Sequence, residues 1–159
     1  MKNESLRQHV LYLLKGDGAH ADFEATVKDL PAKLRGEKPD GAEHSPWEVL
    51  EHLRIAQWDV LKAIEDAKHV SPEFPAGYWP TAAEPKNAKD WDASVQAFQK
   101  DFDALVKLVS SDKTDLLAPL HNSDDQTVMR KIMMVADHTS YHLGEMVLLR
   151  RLMGTWSAG

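Results

Sequence analysis

The chain contains no cysteine among its 159 residues. Disulfides, thiolate metal ligands, iron–sulfur clusters and a cysteine nucleophile are therefore excluded. Any metal ion has to be held by imidazole, carboxylate or water. A thiol that takes part in a reaction has to arrive on a substrate.

Long apolar runs and basic patches are also missing. The longest uncharged apolar run near the N-terminus covers residues 10–14, whereas a membrane span needs about twenty apolar residues. The formal net charge is -6 and no basic patch is interleaved with aromatic residues, which argues against a nucleic-acid partner. We expect a single cytoplasmic domain over residues 1–159, with neither a membrane nor nucleic acid as its partner.

The alternating pattern of a β-strand is absent, and apolar residues instead recur at helical spacing. The N-terminal segment is interrupted at Gly16 and Gly18, so we expect one broken helix or two short ones before Pro31. Three longer helices are predicted at about residues 46–68, 90–110 and 127–153.

Between His69 and Lys89 the chain contains four prolines, too many for a helix or a central strand. We expect a long crossover here, in which Phe74, Tyr78 and Trp79 cover either the core or the mouth of a site. The predicted fold class is all-α, a four-helix bundle with one long crossover between its second and third principal helices.

The clearest helix start is Ser45-Pro46-Trp47-Glu48. It has the form of a capping box with proline at the first helical position. Glu48 lies one turn before His52 and could reach a site there, but its capping role already explains its presence.

Two histidines in the last helix, His138 and His142, stand four residues apart and project from one face. Val135, Glu145 and Leu149 continue that face, which is expected to turn inward. Three neutral imidazoles with an open position make a catalytic-type site for a divalent ion, and a third histidine lies among apolar residues of the second helix. The alternative for the pair is two unrelated polar residues, and the alternative for the third histidine is a core residue that is hydrogen-bonded to a carbonyl group.

Two segments, SPWEVLEHLRIAQWD and VADHTSYHLGEMVLLRRLMG, resemble the signature helices of the DinB/YfiT-like superfamily. The shared motifs are a Pro-Trp helix start leading to one histidine and an Asp-His-x-x-x-His-x-Gly run. The resemblance implies a four-helix bundle, commonly a homodimer, in which three histidines hold a divalent metal. Carried over by motif position, the ligands are His52, His138 and His142. Zinc or nickel is the expected ion, although imidazole also suits copper and iron.

Glutamine commonly follows the His-x-Gly of the relatives, and here Glu145 takes that place. It shares the face of the two histidines, so we expect it to point toward the site as a metal ligand, as an acceptor for an imidazole N–H or as a base. The acceptor or a water-linked position is favoured, and a structural position at the bundle end or in a dimer contact is the alternative. This makes Glu145 the candidate catalytic residue.

Asp137 matches the acidic position of the motif, and a surface contact explains it equally well. Five further histidines lie in loops or outside the two motif helices and are expected to be mostly solvated: His9, His20, His44, His69 and His121. Thr139 follows His138, so the His-Glu-x-x-His pattern of metallopeptidases is absent, as are the paired Glu-x-x-His motifs of di-iron bundles.

The leading functional hypothesis is a metal-dependent enzyme that acts on a small-molecule substrate. Some members of the resembled family are thiol-dependent S-transferases or isomerases, and others are described only as metal-dependent hydrolases. A low-molecular-weight thiol is therefore a candidate substrate. The competing hypothesis is a metal- or ligand-binding bundle without turnover.

Overall fold

A computed structural model describes residues 4–16, 19–121 and 123–156, except for the side chain of Asp124. The helices are α1 (Glu4–Lys15), α2 (Phe23–Val27), α3 (Pro46–Glu65), α4 (Ala88–Ser110) and α5 (Val128–Leu152). Two 3-10 turns cover Ala32–Leu34 and Ala76–Tyr78, and an antiparallel hairpin of β1 (Pro119–Leu120) and β2 (Ser123–Thr127) precedes α5.

The four long helices form a bundle. Both α1 and α3 pack against α4 and α5, so α1 lies diagonally across from α3. The all-α class is confirmed, and the predicted long crossover is the segment 66–87 between α3 and α4. None of the described helices is both long and apolar enough to cross a lipid bilayer.

The predicted capping box starts α3. The Glu48 N–H donates to Ser45 Oγ, and the Ser45 N–H donates to Glu48 Oε2 at 2.8 Å. The helix ends at Glu65, earlier than the predicted position near Lys68. Asp66 has extended dihedral angles, and its carboxylate accepts a hydrogen bond from the Lys68 N–H, which competes with a further helical turn.

The hairpin corrects the expectation that the chain forms no strands. β2 reads Ser-Asp-Asp-Gln-Thr, so it lacks the alternation of apolar and polar residues that identifies a half-buried strand. Main-chain bonds hold this region instead: the Val128 N–H donates to the Ala118 carbonyl, and the Met129 N–H donates to the Leu116 carbonyl. Backbone pairing of this kind leaves little trace in the pattern of side chains.

The buried apolar residues fall into two clusters, one toward each end of the bundle. On α5, the first cluster ends at Ala136 and the second begins at Leu143. On α3, the corresponding interval lies between Leu53 and Val60. The bundle therefore has an interior layer in which these two helices offer polar side chains, and this layer contains the candidate site.

Candidate metal centre

The three predicted ligands come together between α3 and α5. Candidate ligand nitrogens of His52, His138 and His142 all lie within 4.8 Å of one another. The three ring centroids form a nearly equilateral triangle with sides of 4.6 to 4.8 Å, and each pair of rings meets at a steep angle. His52 and His142 are 8% and 7% exposed, so two of these imidazoles are buried and must be satisfied inside the protein.

Two hydrogen bonds fix which nitrogen of each buried ring carries the proton. His52 Nδ1 lies 2.8 Å from the carbonyl oxygen of Tyr78, and His142 Nδ1 lies 2.7 Å from Glu145 Oε2. Because a carbonyl or carboxylate oxygen only accepts, both imidazoles donate through Nδ1–H. In the neutral form of such a ring Nε2 is unprotonated, which is the form that binds a metal ion.

The spacing within the cluster also fits an ion. Nε2 of His52 lies 2.9 Å from Nε2 of His138. Two bonds of about 2.0–2.1 Å to one ion place their nitrogens roughly 2.9–3.4 Å apart for octahedral to tetrahedral angles. In the metal-free protein the same pair is a hydrogen bond, in which His138 Nε2–H donates to His52. The donor set is imidazole alone, which suits zinc or nickel.

Two of the three imidazoles, those of His138 and His52, are neutral at neutral pH. Burial, together with the nearby imidazoles of His142 and His52, lowers the pKa of His138 to about 4. Burial also lowers the pKa of His52, although the Tyr78 carbonyl offsets part of that shift. At neutral pH these two rings therefore carry no charge and need no deprotonation before they bind a cation.

Aromatic rings cover one side of the centre. The Trp79 indole stacks at 3.9 Å on His52 and, also at 3.9 Å, on His44. His44 Nδ1 in turn lies 3.1 Å from Glu145 Oε1. His44 is thus partly buried and packed against the centre, which corrects the expectation that it is solvated.

A second cluster anchors the crossover on α3. Asp59 is 6% exposed, and its carboxylate accepts hydrogen bonds from His69 Nε2 at 2.7 Å and from the Tyr78 hydroxyl at 2.8 Å. The prediction that His69 is solvated is therefore also wrong. The expectation is correct for the three remaining histidines, which are exposed: His9, His20 and His121.

Glu145 lies beside the cluster and is partly buried. Its two carboxylate oxygens accept from the Nδ1–H groups of His142 and His44. Burial raises the pKa of Glu145, but these hydrogen bonds outweigh it, and the net pKa lies below its usual value. The carboxylate is therefore ionised at neutral pH and orients the His142 ring.

The other two acidic candidates lie away from the cluster. Glu48 bonds to Ser45 and to Lys38, in keeping with its capping role. Asp137 is exposed on α5. Neither side chain is part of the group of residues close enough to share an ion.

The model of the DinB superfamily matches residues 16–146, which is well over half of the chain. The chain therefore belongs to the DinB superfamily. The matched region includes the three clustered histidines and Glu145. No curated protein and no solved structure gives a significant match.

Two contacts that shape the centre were not predicted from the sequence. Tyr78 accepts the hydrogen bond of His52 through its main-chain carbonyl. Every residue type has such a carbonyl, so the sequence does not indicate this contact. His44 and Glu145 are 101 residues apart, so their contact exists only in the folded bundle. One usable signal for His44 was its place directly before the capping residue Ser45, because that position holds it against the start of α3.

The metal-free protein is expected to become less stable as the pH falls from about 6.5 toward 4. The imidazole of His138 has a pKa of about 4 in the folded protein, against about 6.5 in an unfolded chain. Between these values the unfolded chain binds more protons, so the free energy of unfolding decreases with decreasing pH. Urea unfolding of the chelated protein across this range measures the slope.

The matched variants are His138→Gln and His121→Gln. Replacing His138 should make the free energy of unfolding depend less steeply on pH, whereas replacing the exposed His121 should leave this dependence as in the wild type. An unaltered slope in His138→Gln would show that this imidazole titrates normally in the folded protein.

Proposed function

We propose that this protein is a metal-dependent enzyme in which His52, His138 and His142 hold one divalent ion. The observation that supports this most strongly is the convergence of the three imidazoles, with Nδ1 of His52 and of His142 already engaged as a donor. Three protein ligands leave at least one coordination position for a substrate, as in catalytic rather than closed structural sites.

A bound ion would polarise a substrate bond or lower the pKa of a water or thiol beside it. The chain's own residues orient the ligands and limit the access of water. The Tyr78 carbonyl orients the ring of His52. Glu145 orients the ring of His142 and raises the basicity of this imidazole, which makes it a stronger metal ligand. Trp79 shields the stacked faces of His52 and His44 from solvent.

The proposed reaction class is thiol S-transfer or hydrolysis of a small molecule. One contact favours thiol transfer: both oxygens of Glu145 already accept imidazole N–H groups, so this carboxylate is poorly placed to activate water as a general base. The thiol has to be supplied by a low-molecular-weight substrate because the chain has no cysteine. A cytoplasmic location belongs to the same proposal, since thiols are kept reduced there.

Replacing any one of His52, His138 and His142 by alanine should sharply lower the amount of bound metal. Each variant removes one of three ligands and leaves two imidazoles to hold the ion. Elemental analysis of purified protein, followed by titration of the chelated protein with zinc and with nickel, measures the effect. His121→Ala is the matched control and should keep the wild-type metal content, because His121 is exposed and outside the cluster.

Full metal content in all three variants would rule out the centre. Turnover is measured separately, with thiols and electrophilic acceptors beside simple esters and amides. Activity that disappears on chelation and returns with the ion supports the enzyme. Metal binding without any turnover in this screen supports the alternative, a metal-binding bundle.

The variant Glu145→Gln should still bind the ion, with affinity reduced about 10- to 100-fold, as is typical when an outer hydrogen-bond partner is changed. A glutamine carbonyl can still accept from one imidazole, but the amide group cannot accept from the other. Competition with a chelator of known affinity measures the change, and Glu65→Gln on the surface serves as control.

Loss of all metal from Glu145→Gln at saturating concentrations would make Glu145 a ligand. An unchanged affinity together with an unchanged rate would make it a structural residue only. A weakened affinity with the ion retained supports the outer position.

The homodimer implied by the family also stays part of the proposal. The outer face of α5 carries exposed apolar side chains at Tyr141, Leu148 and Leu152, and a face of this kind can pair with a second copy.

Light scattering at micromolar concentration should give twice the monomer mass, and Leu148→Glu should reduce it to the monomer. Val70→Glu, at an exposed crossover position, should leave the dimer intact. A wild-type monomer over the accessible concentration range would reject the dimer.

A further inference from the structure

Tyr78 is attached at two points to the same face of α3. Its main-chain carbonyl accepts from His52 Nδ1 at 2.8 Å, and its hydroxyl donates to Asp59 Oδ2, also at 2.8 Å. His52 and Asp59 are seven residues apart, which corresponds to about two turns, or about 10 Å, along the helix. The side chain of Tyr78 therefore runs along α3 from one residue to the other, and Asp59 fixes its far end.

The carboxylate of Asp59 is itself held in place. Asp59 is 6% exposed, and its second oxygen, Oδ1, accepts from His69 Nε2 at 2.7 Å. Burying a carboxylate costs solvation, and a buried polar cluster often stabilises a fold no more than apolar side chains of similar volume do. What this carboxylate supplies, and an apolar side chain could not, is two directed contacts to the crossover.

The tautomer of His52 depends on the Tyr78 carbonyl. The contact between Nε2 of His52 and Nε2 of His138, at 2.9 Å, can form in either direction, because a neutral imidazole can carry its proton on either nitrogen. Among the hydrogen bonds that the described residues make to His52, only the one to this carbonyl requires the proton on Nδ1. If the carbonyl moved away, the proton could occupy Nε2, and that nitrogen could then not bind a metal ion.

The residue after Tyr78 contacts the same imidazole. The Trp79 indole stacks on His52 at 3.9 Å, with an angle of 4° between the ring planes. The Tyr78 carbonyl meets the edge of the imidazole, and the Trp79 ring covers its face. A displacement of Tyr78 would therefore disturb both contacts that orient His52.

We propose that Asp59 is a positioning residue of the metal centre and acts on His52 through Tyr78. Asp59 holds the Tyr78 hydroxyl, this bond fixes the place of the Tyr78 carbonyl, and the carbonyl keeps the proton of His52 on Nδ1. His69 maintains the orientation of the Asp59 carboxylate. The effect on metal binding rests on the proposed function, whereas the effect on the tautomer of His52 does not.

The variants Tyr78→Phe and Asp59→Asn test this link. Tyr78→Phe removes the hydroxyl and retains the ring and the main-chain carbonyl. Asp59→Asn retains the size of the side chain, but its amide nitrogen cannot accept, so one of the two donors loses its partner.

Two-bond correlations between ring protons and ring nitrogens in NMR spectra of the chelated protein report which nitrogen of His52 carries the proton. The signals are assigned by their absence from His52→Gln. The wild type should show the Nδ1–H form, and both variants should show a mixture of the two tautomers.

Zinc affinity, measured by competition with a chelator, should fall about tenfold in both variants, at the lower end of the range typical for changes outside the ligands. Asp103→Asn makes the same chemical change at an exposed position of α4. Val109→Ala destabilises the bundle at a buried position of α4 outside these contacts, and urea unfolding measures by how much. Both controls should keep the wild-type tautomer and the wild-type affinity.

A His52 proton that stays on Nδ1 in both variants would overturn the proposal, as would a tautomer that Val109→Ala alters equally. An unchanged zinc affinity in both variants of a zinc-binding wild type would also overturn it. If Asp59→Asn does not fold, Tyr78→Phe decides alone, because the carboxylate then keeps its bond to His69.

The outcomes for the two proposals are distinguishable. A tautomer that changes in both variants of a protein that binds no metal would support the action of Asp59 on His52 and refute the proposed function. Zinc binding by the wild type without any change of tautomer in the variants would do the reverse.

Discussion

The hydrogen bond from His52 Nδ1 to the Tyr78 carbonyl links the parts of this structure on which the centre depends. It joins α3 to the crossover, sets the tautomer of one proposed ligand and directs its Nε2 toward His138. Asp59 accepts a hydrogen bond from the Tyr78 hydroxyl about two turns further along the same face of α3. The crossover is thus attached through both the main chain and the side chain of Tyr78, and the carbonyl that orients the His52 imidazole belongs to a residue that Asp59 holds in place.

The position of the centre follows from the division of the apolar interior. The two hydrophobic clusters leave an interval on α3 and on α5, and Gln57, His138 and His142 occupy it. Buried polar groups destabilise a fold unless they are paired, so such a layer persists only where its members satisfy one another or a ligand. The imidazoles largely do so through Tyr78 and Glu145, whereas Gln57 does so at one of its two polar atoms.

Features set by local spacing could be predicted from the sequence. The capping box at Ser45 identifies the start of α3, and the four-residue separation of His138 and His142 places both on one face of α5. Features that depend on tertiary contacts could not be predicted from the sequence. The Tyr78 carbonyl is a backbone atom that any residue type could supply, and the partner of His44 is distant in sequence. The hairpin was missed because its short strands carry no alternating apolar pattern.

The proposed ligands and their surroundings therefore come from different parts of the chain. Helix geometry on α3 and α5 brings the three imidazoles together, whereas the crossover orients one of them through the Tyr78 carbonyl and covers one side of the cluster. Trp79 closes one side by stacking on His52, and Phe74, which is 84% exposed, lines a cavity of about 250 Å³ that also borders His52 and His138. Substitutions in the crossover can thus reshape the approach to the centre while the helices retain its ligands.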